Sequence, residues 1–196
     1  MHLNSKQLEL VQSSDIIYLK RSALAAVNLG LIGLQSALVE VCNNHPILKE
    51  FDTFNQPKIS KGENYKKLPY VVLDFPATFS RSSIFAFRSM FWWGHFFSFT
   101  LHIQGEALDL LREKIMQHKK EILSSGFYLG VNSTPWEYHY ESENYKALSD
   151  FKMQEFIDIV NNKNFFKISH KIQIAEYERL VDNGCDAFQK MLGYLN

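Results

Sequence analysis

Apolar and polar residues alternate with period two from Phe96 to Ile103, setting Phe97, Phe99, Leu101 and Ile103 on one side and Phe96, Ser98, Thr100 and His102 on the other. Successive side chains of a strand point to opposite faces, so the stretch predicts a strand with one greasy side and one side carrying polar groups. Ile84 to Met90 reads as a second strand, with Phe85, Phe87 and Ser89 facing one way and Ile84, Ala86, Arg88 and Met90 the other. Gly94 is the natural reversal point between them. Together they predict a central antiparallel hairpin near 84–103 with Trp92 and Trp93 at its tip.

Elsewhere the period changes to that of a helix. Leu24, Val27, Leu31, Leu34, Leu38 and Val41 recur at helical spacing behind a start signal at Ser14-Asp15, and predict a long, mostly buried helix reaching Asn43-Asn44. His45-Pro46 stops it, and the polar, turn-rich stretch 46–68 reads as a surface connection. Tyr70 to Leu73 reads as a short strand, at a sheet edge, that ends at Asp74-Phe75-Pro76 because proline offers no ladder donor. A helix is expected over Glu106 to Ile122, then a second hairpin pairing Phe127–Val131 with Trp136–Tyr140. A helix over about Ser149–Val160, a short strand at Phe165–Ile168 and a helix over about Ala175–Leu192, interrupted at Gly184, complete the chain.

Helices gather at the two ends and strands in the middle, without βαβ alternation. The expected fold is therefore α+β, an antiparallel sheet of about five to six strands packed against helices from both chain ends. With 196 residues, 46% hydrophobic and 21% charged, the chain suits a single globular domain. Its expected parts are a helical segment 1–45, a connection 46–68, a sheet-rich core 69–140 with an inserted helix, and a mostly helical part 141–196.

Twenty-one basic residues balance twenty-one acidic ones, so no field gathers a polyanion and nucleic acid is not an expected partner. Cys42 and Cys185 form neither a disulfide framework nor a CxxC pair, and MHLNSKQLELVQ lacks the apolar core of a signal peptide. A cytoplasmic location is expected. Residues 22–39 carry no charge and approach the ~20 residues that cross a bilayer. Ser22, Asn28, Gly30, Gly33, Gln35 and Ser36 dilute the run, which we read as a helix sunk in a soluble core.

Three sets of residues carry candidate chemistry. Arg88 cannot shed its proton, so its place between Phe87 and Met90 calls for a carboxylate, Asp74 or Glu137, or for an anionic ligand. With His102, Ser98 and Thr100 it outlines a small-molecule or anion site. Trp92, Trp93 and His95 form a tip suited to a partner contact, since consecutive tryptophans cannot both face one core. Glu137 and His139, two residues apart, are an acid and base pair whose alternative is an ordinary strand face. The histidines make no HxH or HExxH cluster and neither cysteine has a histidine at ligand spacing, so no metal and no cofactor is expected.

Three functional classes follow. The first is a non-catalytic binding or assembly protein that uses the aromatic hairpin to hold a protein partner or another copy of itself. The second is a small-molecule binder or enzyme with a pocket around Arg88 and His102. The third is a peripheral membrane protein whose tryptophan tip enters lipid.

Overall fold

The computed structural model describes residues 2–43, 45–51 and 57–196 and has an α+β fold. Helices α1 (Ser5–Gln12) and α2 (Asp15–Asn43) open the chain. Four strands follow, β1 (Lys58–Tyr65), β2 (Leu68–Phe79), β3 (Ser83–Trp92) and β4 (Phe96–Gly105), and then α3 (Glu106–Gln117) and α4 (Lys119–Leu123). Short strands β5 (Tyr128–Gly130) and β6 (Tyr145–Ala147), helix α5 (Met153–Asn162), strand β7 (Phe165–Gln173) and helix α6 (Leu180–Gly193) complete it. All seven strands belong to one antiparallel sheet in the order β1-β2-β3-β4-β7-β5-β6.

The central hairpin is the one the alternation predicts. Phe91 faces Phe97, Arg88 faces Thr100 and Phe85 faces Ile103 across the β3–β4 ladder. The chain reverses at Trp93-Gly94-His95, where Gly94 holds φ at +75°, a region that side chains with a Cβ avoid. At the other end of β4, Gly105 is needed for space as well as conformation, because a Cβ there would lie 2.0 Å from the Ser82 carbonyl oxygen.

Phe85, Phe87, Phe97, Phe99, Leu101 and Ile103 share the sheet face that α2, α3 and α6 cover, and all are buried. α2 packs on α6 and β2 through Val27, Leu31, Leu34, Leu38 and Cys42, spaced so that one stripe of the helix meets the core. Gly184 does not interrupt α6. Its missing side chain lets the two helices close, since a Cβ there would come within 2.6 Å of a Leu34 methyl and 3.0 Å of the Phe99 ring. α2 is long and apolar enough, by length and composition alone, to cross a membrane.

The opposite sheet face is covered by chain rather than helix. Here the structure differs most from expectation: Trp136–Tyr140 is not a strand, and β5 pairs instead with β6. The segment 131–144 runs over the sheet as a strap, held by side chains in place of a ladder. The connection 46–68 also holds more than expected, a 3-10 turn at Pro46–Glu50 and edge strand β1, while its residues 52–56 and the expected helix terminus at Asn44 lie outside the described residues. β2 continues past Pro76 to Phe79 across a register shift between Asp74 and Ala77, and it is not an edge strand because it lies between β1 and β3. The helix expected over 106–122 breaks at His118, the next helix starts at Met153 behind a 3-10 turn, and β7 extends to Gln173.

Candidate functional site

The strap and the sheet beneath it enclose a row of polar side chains. β2, β3, β4 and β7 turn Asp74, Arg88, Thr100 and Ser169 toward it in one row across the sheet, each paired with the next in register across three ladders. Arg88 meets Asp74 through two parallel hydrogen bonds, Nε to Oδ1 at 2.7 Å and Nη2 to Oδ2 at 2.8 Å, and its Nη1 donates to the Tyr138 hydroxyl at 2.7 Å. Burial opposes the charge, but Asp74 and Tyr138 outweigh it and hold the guanidinium pKa above its ordinary value. Asp74 is thus the carboxylate that Arg88 calls for.

His102 lies on the same face, buried, with Nε2 3.1 Å from Gln104 Oε1 and the Trp136 ring edge-on above it. Burial pushes its pKa down to about 4, with Lys167 and Arg88 adding to the effect and Gln104 opposing it. Thr100 Oγ1 is 2.7 Å from Ser169 Oγ, which also meets the Tyr140 hydroxyl. Ser98 is buried on the adjoining rung and its Oγ has no hydrogen-bond partner among the described residues.

Lys167 belongs to this network and is absent from the residues the sequence singles out. Its ammonium donates to the carbonyls of Pro135, at 2.8 Å, and Glu137, and lies 4.2 Å from the centre of the Tyr138 ring. Burial lowers its pKa to about 7, Arg88 contributes, and Glu137 opposes. The sequence carries a signal for it: Lys167 sits directly between Phe166 and Ile168, an apolar setting like that of Arg88 behind Phe87, and the same demand for partners applies.

Glu137 and His139 come together, but on the strap and with a third partner. His139 Nε2 is 3.6 Å from Glu137 Oε2, and its Nδ1 is 3.3 Å from Glu141 Oε2. The Tyr65 hydroxyl anchors this part of the strap, donating to Glu137 at 3.0 Å and accepting the backbone N–H groups of Tyr138 and His139.

The hairpin tip splits its aromatic residues between the two faces. Trp92 is buried on the strap side, where exposed His95 stacks on it at 3.5 Å between centroids. Trp93 points to the helix side, half-buried against Phe91. There it forms the common wall of two apolar hollows. The larger, about 810 Å³, lies between the tip and the helical arm and is lined mostly by apolar side chains, Leu10, Val11, Ile16, Ile17 and Leu19 among them, with Ser13 and Lys20 as its polar members. The smaller, about 370 Å³, is lined by Ala23, Ala26, Val27, Phe91, Phe97, Ile174 and Tyr177.

The arm itself is unusual. From His2 to Ala26 no side chain is buried, although the segment carries Leu3, Leu8, Leu10, Val11, Ile16, Ile17, Tyr18 and Leu19, the last 70% exposed. The first three turns of α2 are thus held loosely, by an ion pair from Lys20 to Glu63 of β1 at 2.5 Å, by partly buried Leu24 against the core and by the Tyr177 hydroxyl donating to the Ala26 carbonyl. Comparison with family models, curated proteins and solved structures finds no match to this chain.

Proposed function

We propose that the protein is a non-catalytic assembly module that pairs with a second copy of itself through the helical arm and the Trp93 groove. The observation that carries this reading is the arm: five large apolar side chains, Leu10, Val11, Ile16, Ile17 and Leu19, stand exposed along its side of an apolar groove. Contiguous apolar surface of that extent marks an interaction site on a protein otherwise able to bury its core. α1 supports it further, because an eight-residue helix with no buried side chain is too short to hold itself in water.

The arm and the groove are complementary in chemistry and adjacent on one chain, so a two-fold arrangement lets each copy's arm enter the other's groove by one repeated contact. A small-molecule site on the strap face draws less support, since Asp74 and Tyr138 occupy the Arg88 guanidinium and carbonyls occupy the Lys167 ammonium. A membrane span through α2 draws less as well, because the stripe from Val27 to Cys42 would have to leave α6. Light scattering of the wild type and of Trp93→Ala tests the proposal: a dimer that becomes a monomer in the variant is expected, and a wild-type monomer at every concentration overturns it. Flotation of the wild type with lipid vesicles would replace the second copy with a lipid surface as occupant.

A further inference from the structure

Three side chains at the edge of the strap, His139, Glu141 and Glu143, bring one ligand atom each within 4.8 Å of one another. Two exposed carboxylates alone would mean little. His139 is different: it is 4% exposed, and its Nδ1 is buried with no hydrogen-bond partner among the described residues. The other ring nitrogen lies 3.6 Å from the Glu137 carboxylate, which Tyr65 holds in place. Nδ1 lies 3.3 Å from Glu141 Oε2 without the geometry of a hydrogen bond, and a cation held between the two would take Nδ1 unprotonated, with the proton on Nε2 facing Glu137. Two carboxylates and a ring nitrogen this close together gain from a cation among them, a role that Lys66 fills in part from the Glu141 side.

We propose that His139 Nδ1, Glu141 and Glu143 bind a divalent transition ion of the zinc type, with Glu137 as the positioning carboxylate behind the histidine. One imidazole and two carboxylates suit zinc, cobalt or manganese, whereas magnesium and calcium favour oxygen alone. Two atoms each about 2.1 Å from a metal stand roughly 3.4 Å apart in tetrahedral coordination, close to the separation of Nδ1 and the Glu141 oxygen. The backbone is set for it: the Glu141 carbonyl accepts the N–H groups of Asn144 at 2.9 Å and Tyr145 at 3.0 Å, and the Asn144 amide donates to the His139 carbonyl at 2.5 Å. Lys66, whose ammonium is 3.1 Å from Glu141 Oε2, is the competing cation and is exposed enough to swing away. The sequence signal is His-x-Glu-x-Glu, which no pattern of paired histidines would find.

Titration of the untagged full chain with ZnCl2 by calorimetry, and with CoCl2 by visible absorption, tests the site. One zinc per chain and a tetrahedral cobalt spectrum are expected, weakened at least tenfold in Glu143→Gln and in Glu141→Gln. Both positions are exposed, so the variants keep the fold. Lys66→Ala should tighten binding several-fold, a change that a zinc ion on any other histidine would not show. Absence of saturable uptake, or uptake indifferent to Glu141→Gln and Glu143→Gln, overturns the proposal.

Discussion

Arg88 and Asp74 oppose each other on neighbouring strands and close a two-pronged ion pair beneath the strap, their side chains only 20% and 16% exposed. Removing one partner leaves a charge stranded in a poorly solvated place, so Asp74→Leu or Arg88→Met alone is expected to cost about 3 kcal/mol in urea denaturation. Replacing both, as Arg88→Met with Asp74→Leu, should recover most of that loss. Additive losses in the double variant would show that the two groups do not act as a pair.

Lys167 makes stability depend on alkaline pH. Its folded pKa of about 7 lies below the ordinary lysine value of 10.5, so between these limits the unfolded chain binds the extra proton. The wild type should therefore gain stability, on the order of a few kcal/mol, as pH rises from 7 toward 10. Lys167→Met should lack this rise. Parallel pH curves for the two proteins would contradict the environment assigned to the ammonium.

His102 acts on the acid side. Its folded pKa of about 4 lies below the ordinary 6.5, so its neutral form stabilises the fold above pH 6.5 and that contribution drains away as pH falls toward 4. The loss is expected to reach about 3 kcal/mol. Thermal denaturation of His102→Phe across this window should show a smaller acid loss than the wild type.

Gly184 is the closest approach of α6 to α2. Alanine ordinarily improves a helix by about 1 kcal/mol relative to glycine, but here its methyl meets fully buried Leu34 and Phe99. Overpacking should win, and Gly184→Ala is expected to lower stability by about 1–3 kcal/mol in chemical denaturation. A stabilised variant would mean the helices pack less tightly than described.

The central hairpin and the span of α2 were legible because alternation and helical spacing are strong there and the turn residues agree with them. β1 is hidden by its composition: Lys58–Tyr65 is an edge strand with no buried residue, so its polar residues look like a loop. The strap departs from its pattern for the opposite reason, since Trp136–Tyr140 alternates like a strand but spends its backbone groups on Tyr65 and Lys167. Arg88 announced itself as a charge among aromatics, and Asp74 stood among its expected partners. The exposure of the arm was not readable, because Leu24, Val27 and Leu31 continue the same helical spacing that Ile16 to Leu19 precede, and only the position of the sheet decides where burial begins.

Self-association through the arm is most directly tested by sedimentation equilibrium over a hundredfold concentration range, with the wild type beside Ile17→Asp. Ile17 is exposed and lines the groove, so the substitution spares the core while placing a charge in the contact. A monomer–dimer equilibrium in the wild type that Ile17→Asp shifts to monomer is the predicted result. A monomeric wild type, or a dimer that Ile17→Asp leaves intact, would contradict it.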